Sequence, residues 1–215
     1  MENNLEISEE VFNLNINVNS HSSIQVNNMI FDPYNITDTT TKAKYIFLTH
    51  THYDHLSLDD IDKVITDNSV FIAPHDAKEH LEKYKQTKHF VNPNQQFDIE
   101  DIKIETLASY NINKNFHKKE YNWLGFKVTF KNELSFAILG DTDKTPELEG
   151  LKCDILFVPI GGTYTMNALE AAELANIIMP QLVIPVHYGS IVGTKEDAEV
   201  FTSKINENIA CKTFF

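Results

Sequence analysis

Residues Tyr45-Ile46-Phe47-Leu48 form an uninterrupted apolar run that ends abruptly in Thr49-His50-Thr51-His52-Tyr53-Asp54-His55. A short continuous apolar run bounded by polar residues predicts a buried strand. The segment that follows is therefore a ligand-rich loop at the exit of that strand. Residues two apart on an extended segment face the same side, so His50 and His52 can share one ion. Asp54 and His55, beyond the bend, are free to address a second ion nearby. Zinc accepts imidazole nitrogen and carboxylate oxygen at about 2.0–2.2 Å. Two ions ~3.5–4 Å apart can hold a bridging hydroxide as a nucleophile.

The rest of the chain supplies a frame for this loop. Phe12, Leu14, Ile16 and Val18 alternate with asparagines, the period-two pattern of a half-buried strand. Ser22–Val26 and Met29–Phe31 flank Asn27-Asn28, which predicts a hairpin broken at Asp32-Pro33. Ser57-Leu58-Asp59-Asp60 reads as a capping box before a helix carrying Ile61, Val64 and Ile65. A strand over Val70–Ala73 is followed by a second amphipathic helix marked by Ala77, Leu81 and Tyr84. Alternation returns from Phe97 to Ile138, with a turn at Lys131-Asn132-Glu133. The last third alternates strand and helix: a strand to Pro159, a helix capped by Asn167 and Glu170 carrying Leu169, Ala172 and Ile177, a strand over Leu182–Val186, and a helix from Thr194 carrying Ala198, Phe201 and Ile205. With no linker, low-complexity block or repeat, residues 1–215 read as one α/β domain.

Charge and cysteine usage narrow the function. Asp plus Glu outnumber Lys plus Arg by 31 to 18, a net charge of −13, which repels phosphate backbones and argues against a nucleic-acid partner. No apolar window reaches the ~18 residues of a membrane span, and Met1–Glu6 lack the features of a secretory signal. Cys153 and Cys211 are far apart and belong to no Cys-x-x-Cys, as expected of reduced thiols in a cytoplasmic protein. Any metal is then held by imidazole and carboxylate, and the chain has 9 His to supply.

Asp141 in Leu139-Gly140-Asp141-Thr142-Asp143 and His187 in Val186-His187-Tyr188-Gly189 stand at strand ends, and His117 lies in the loop 111–117. Such residues at the exits of several buried strands suggest one convergent site. Thr49 to Ser57, Gly-Asp-Thr-Asp at 140–143 and Val-His-Tyr-Gly at 186–189 resemble the metallo-β-lactamase superfamily of metal-dependent hydrolases. Residues 159–166 with the Ala-rich helix that follows, then Ile184 to Ser190, are similar to its small stand-alone members, a group that includes ascorbate-phosphate lactonase. The resemblance spans about residues 10 to 207. It implies a four-layer αβ/βα sandwich with metals at one edge of two packed sheets. Carried over residue by residue, it assigns His50, His52 and His117 to one zinc ion and Asp54, His55 and His187 to the other, with Asp141 bridging. Manganese or iron would suit the same donors. Close relatives carry the third histidine nearer the strand end, where this chain has Ser109-Tyr110-Asn111. Members that do redox chemistry at iron usually have Glu where this chain has His52, so hydrolysis is implied.

Other residues keep two readings each. Asp32 either starts a turn before Pro33 or accepts a hydrogen bond from a metal-bound imidazole, and Asp143 shares that ambiguity. Gly161-Gly162-Thr163 either presents N–H groups to an oxyanion or makes a tight connection. Tyr53, Tyr164 and Tyr188 either donate to substrate or only pack. His21, His75, His80 and His89 read as ordinary surface or loop histidines, Trp123 as core at a strand entry, and Glu6, Glu9 and Glu10 as a solvated face. The function expected is hydrolysis of a small ester, lactone or phosphate ester, with Asp54, Asp141 and His187 at the reacting centre. The alternatives are a nuclease or phosphodiesterase, and a non-catalytic metal-binding or sensing protein. A homo-oligomer is left open.

Overall fold

Alternating apolar residues in some strands and continuous apolar runs in others build two sheets whose inner faces share one core. The structure, a computed structural model, describes residues 12–215; Met1–Glu6, Glu9 and Glu10 lie outside them. The first sheet runs β1 (Ile16–Ser20), β2 (Ser23–Val26), β3 (Met29–Phe31), β4 (Tyr45–Phe47), β5 (Val70–Pro74), β6 (Thr87–Val91) in spatial order. Its first three strands are antiparallel, with Val26 opposite Met29 across the expected hairpin, and β3 to β6 are parallel. The second sheet has the order β13 (Ala210–Cys211), β12 (Leu182–Val186), β11 (Ile155–Pro159), β10 (Ser135–Ile138), β9 (Leu124–Phe130), β8 (Ile102–Ala108), β7 (Gln96–Ile99). Its parallel half comprises β10 to β13 and its antiparallel half β7 to β10.

Between the sheets Phe31 stacks on Phe47 with ring centroids 4.3 Å apart, and Phe126 and Phe136 meet them edge-on. Outside the first sheet lie helix α1 (Leu58–Val64), a 3₁₀ turn (His75–Lys78) and the turns that follow it, which together bury Ile61, Val64, Ala77, Leu81 and Tyr84. Outside the second lie the short α2 (Pro146–Glu149), α3 (Ala168–Ile178) and α4 (Lys195–Lys204). The expected four-layer αβ/βα sandwich is thus present. Among the described residues no helix is long and apolar enough to cross a membrane.

Several local expectations need correction. The first strand starts at Ile16, because Asn13 turns left-handed and Phe12 enters the core ahead of that turn. The second amphipathic helix is only the 3₁₀ turn and irregular turns, since Leu81 N–H is shared between the carbonyls of Ala77 and Lys78 and the chain must return at once to β6, a polar edge strand that apolar periodicity does not reveal. The capping box of α1 is half formed. Ser57 accepts from Asp60 N–H, but the Asp60 carboxylate is drawn to Lys63 and to the N–H groups of Asn35 and Ile36. The Asn167–Glu170 box is complete, yet α3 buries Ala168, Ala171, Ala172, Leu174, Ala175 and Ile178 while Leu169 and Ile177 face solvent.

Candidate metal centre

The exits of β3, β4, β8, β10 and β12 and the β1–β2 turn meet at one edge of the sandwich, where ligands commonly bind in α/β sheets. Each contributes a polar side chain. Thr49, just past β4, donates from its N–H to Asp32 Oδ1 (2.7 Å) and from its hydroxyl to Asp32 Oδ2 (2.6 Å). The same Oδ2 accepts from His55 Nδ1–H at 2.8 Å, so the Asp32 carboxylate fixes the His55 tautomer and aims Nε2 inward. Of the two readings of Asp32, the structure selects the hydrogen-bonding one.

Asp141 follows β10 and is fully enclosed. Its Oδ2 lies 2.9 Å from His187 Nε2, 3.2 Å from His117 Nε2 and 3.9 Å from His50 Nε2, and its Oδ1 lies 3.4 Å from His55 Nε2. Donor atoms of His50, His52 and His117 all lie within 4.8 Å of one another, as do those of His21, Asp54, His55 and His187. These spacings suit the edges of a coordination polyhedron with ~2.1 Å bonds, about 3.0 Å for octahedral and 3.4 Å for tetrahedral ligands. The Nε2 atoms of His21, His55, His117 and His187 and Oδ1 of Asp141 are buried without a well-aligned hydrogen-bond partner, although carboxylate oxygens lie close to the imidazoles. Orphaned buried polar atoms are costly, and a set aimed at one spot fits a cation there.

Electrostatics favours the ligating forms of His21, His50 and Asp141. Burial works against a charged His55, yet Asp141 and Asp32 hold it well above a free imidazole, so a metal ion there displaces a proton. Burial and neighbouring imidazoles push His50 well below a free imidazole, and burial lowers His21 to about 4, so both are neutral at pH 7. Burial works against an ionised Asp141, yet the surrounding His187 and His55 hold it well below the usual carboxylate range. His21, Asp32, His117 and His187 all carry positive φ, at 54°, 47°, 51° and 60°. Non-glycine residues there store of order 1–3 kcal/mol each, and such strain clusters at functional sites.

All seven residues expected at the site, His50, His52, Asp54, His55, His117, Asp141 and His187, are brought together. His117 reaches His50 and His52 although it lies beyond the usual strand end. Asp143 holds its loop, pairing with Lys114 and accepting from Ile112 N–H, and Asn111 N–H joins His117 O at 2.8 Å. Two readings fail. The Gly162 and Thr163 N–H groups are occupied by Met166 O and Gly161 O, so they make a tight connection instead of an anion cradle. Tyr188 turns away from the site into the outer core against Phe215.

His21, expected to be an ordinary surface or loop histidine, does lie in a turn but is fully buried in the cluster. It lies in the β1–β2 turn, far in sequence from the other ligands, and nothing in its spacing signals the approach. His75, His80 and His89 do lie exposed and outside the cluster. Trp123 closes the site from one side. Its ring lies 4.7–5.3 Å from those of His50, His52 and His117, and Nε1–H donates to Asp76 Oδ2 at 2.7 Å. An aromatic rim of two pairs, Tyr34 with Tyr53 and Phe116 with Tyr164, adjoins the ligand loops at Asp54 and His117.

The beta-lactamase superfamily domain model matches residues 15–188. A metal-dependent hydrolase of Exiguobacterium is 23% identical over 200 residues, covering 83% of this chain and 86% of that protein. A Parabacteroides distasonis protein assigned as a metal-dependent hydrolase superposes with TM-score 0.80 at 29% identity, covering 93% and 92% of the two chains. A metallo hydrolase from the archaeon Ignicoccus hospitalis shares the fold at TM-score 0.76 and 16% identity, covering 94% of each chain.

Proposed function

Because the chain belongs to the beta-lactamase superfamily, we propose that it is a metal-dependent hydrolase acting on a small ester, lactone or phosphate ester at a two-ion centre. The observation that carries this reading is the ring of buried donor atoms, without well-aligned hydrogen-bond partners, around Asp141. In it His50, His52 and His117 would hold one ion and Asp54, His55 and His187 the other, with Asp141 placed between the two ligand sets. Divalent ions bound there would supply Lewis acidity and would make water a stronger nucleophile at neutral pH. Zinc suits these donors, as do manganese and iron. Similarity to the Exiguobacterium and Parabacteroides hydrolases supports the reaction class.

The chain's own groups do the positioning. Asp32 orients His55, Trp123 walls off the first ligand set, and Asp143 anchors the loop that brings His117 in. The presence of His117 beside His50 and His52 weighs against a centre that has lost an essential ligand. The aromatic rim offers faces for an apolar substrate group. A net charge of −13 disfavours a nucleic-acid substrate. Unpaired Cys153 and Cys211 are in keeping with a cytoplasmic setting.

Metal analysis coupled to a screen of p-nitrophenyl esters, phosphodiesters and sugar-phosphate lactones tests the proposal. It expects two metal equivalents and hydrolysis of an ester or lactone that is lost on chelation and restored by adding metal. Hydrolysis indifferent to chelation, or a fully loaded protein inert toward all three classes, contradicts it.

A further inference from the structure

His21 is the one histidine of the cluster that no part of the reading above uses. Its side chain has no exposed surface, and its Nε2 has no well-aligned hydrogen-bond partner. A buried polar atom left so costs about 1–3 kcal/mol unless something else meets it. The backbone adds to that cost, because His21 sits at φ 54°, a left-handed conformation uncommon for any non-glycine residue. An ordinary core histidine gives no return for either.

What surrounds His21 is a ligand set. Its Nε2 lies 3.2 Å from Asp54 Oδ2, and its donor atoms lie within 4.8 Å of those of Asp54, His55 and His187. The opposite ring nitrogen, Nδ1, faces Ser190 Oγ at 3.4 Å, which leaves Nε2 as the inward-facing atom. The main chain couples His21 to an expected ligand, since His187 N–H donates to His21 O at 2.9 Å. The two rings lie with centroids 3.7 Å apart. The β1–β2 turn and the β12 exit thus deliver two imidazoles as one unit, each on a left-handed backbone.

We propose that His21 is a direct donor to the second ion, so that this position has three imidazoles, from His21, His55 and His187, beside the carboxylates of Asp54 and Asp141. The inference rests on the two-ion reading and deepens it. The two positions then differ in kind. The first has four protein donors, enough for a tetrahedral ion, and the second has five, which suits an ion of higher coordination number.

The test uses the full-length protein loaded with Co²⁺, with wild type compared against His21→Asn and His21→Gln. Asparagine tolerates the left-handed turn, so H21N preserves the backbone, and H21Q keeps a longer polar side chain. Stepwise Co²⁺ titration against a chromogenic chelator reads each equivalent separately, and proton NMR counts the hyperfine-shifted imidazole N–H signals of the loaded protein. Both variants should bind the first equivalent as wild type does and the second about 100-fold more weakly, and at saturation each should lack one shifted N–H signal. Unchanged affinity at both positions overturns the proposal and makes His21 a packing residue. Weaker binding with every shifted signal retained also overturns it, because His21 then acts only through Asp54. Failure of wild type to bind a second Co²⁺ removes the two-ion reading itself and this inference with it.

Discussion

Asp32→Asn separates the carboxylate's role in holding His55 from its bulk. Asp32 is enclosed and accepts three hydrogen bonds, from Thr49 N–H, the Thr49 hydroxyl and His55 Nδ1–H, at 2.6–2.8 Å. Hydrogen bonds to a charged acceptor contribute about 1.5–3 kcal/mol each. Asparagine keeps one acceptor oxygen and accepts the left-handed backbone at φ 47°. Its amide NH₂ must then face either Thr49 N–H, a second donor, or both the Thr49 hydroxyl, which can rotate to accept, and His55 Nδ1. All three bonds lose their charge assistance and one geometry is compromised, for a net loss of about 2–4 kcal/mol. For a chain of this length that lowers Tm by roughly 4–16 °C. An NH₂ facing Nδ1 also drives the His55 proton to Nε2, the atom aimed at Asp141, which should weaken one metal equivalent about 10–100-fold. Thermal unfolding of the metal-free protein and chelator competition measure the two effects independently. A D32N protein with wild-type Tm and wild-type affinity for both equivalents would refute the reasoning.

Three further outcomes follow from the packing and the electrostatics. A Cβ on Gly161 would stand 2.4 Å from His187 O and 2.9 Å from His187 Nδ1, so Gly161→Ala should cost about 1–3 kcal/mol and weaken metal binding at the His187 position; retention of both Tm and affinity contradicts this. His117→Ala should reduce affinity at the position of His50 and His52 while His75→Ala, at an exposed residue outside the cluster, does little; unchanged metal stoichiometry and turnover in H117A removes His117 from the site. Burial pushes the Cys153 thiol up to about 12, so in a Cys211→Ser background its reaction with a disulfide reagent should be slow when folded and should rise without levelling between pH 7 and 10; a plateau near pH 9 shows an ordinary thiol.

The fold was legible wherever periodicity and burial coincide. The strands at 45–48, 70–73, 155–159 and 182–186 are apolar because both faces are covered, and the alternation at 102–104 and 126–130 survives because one face meets the other sheet. Edge strand β6 was not legible, since an edge carries Lys88 and His89 without a buried face to impose a pattern. Within the site, His50 to His55 are legible because one short loop holds four ligand-type residues. Asp141, His187 and His117 became readable only together, as polar residues past strand exits. His21 was not legible for a physical reason: its approach depends on a left-handed turn and on a backbone hydrogen bond to His187, and neither leaves a mark on spacing. The misread face of α3 has a similar origin, since alanines pack the helix close to the sheet and leave Leu169 and Ile177 outside.

The central claim is that Asp141 stands between two ions. Anomalous diffraction from crystals of the metal-loaded protein, collected at the absorption edge of the bound metal, tests it most directly. The account predicts two peaks roughly 3.5–4 Å apart on either side of the Asp141 carboxylate, one against His50, His52 and His117 and the other against Asp54, His55 and His187. A single peak at full loading, or peaks that leave Asp141 untouched, would contradict it.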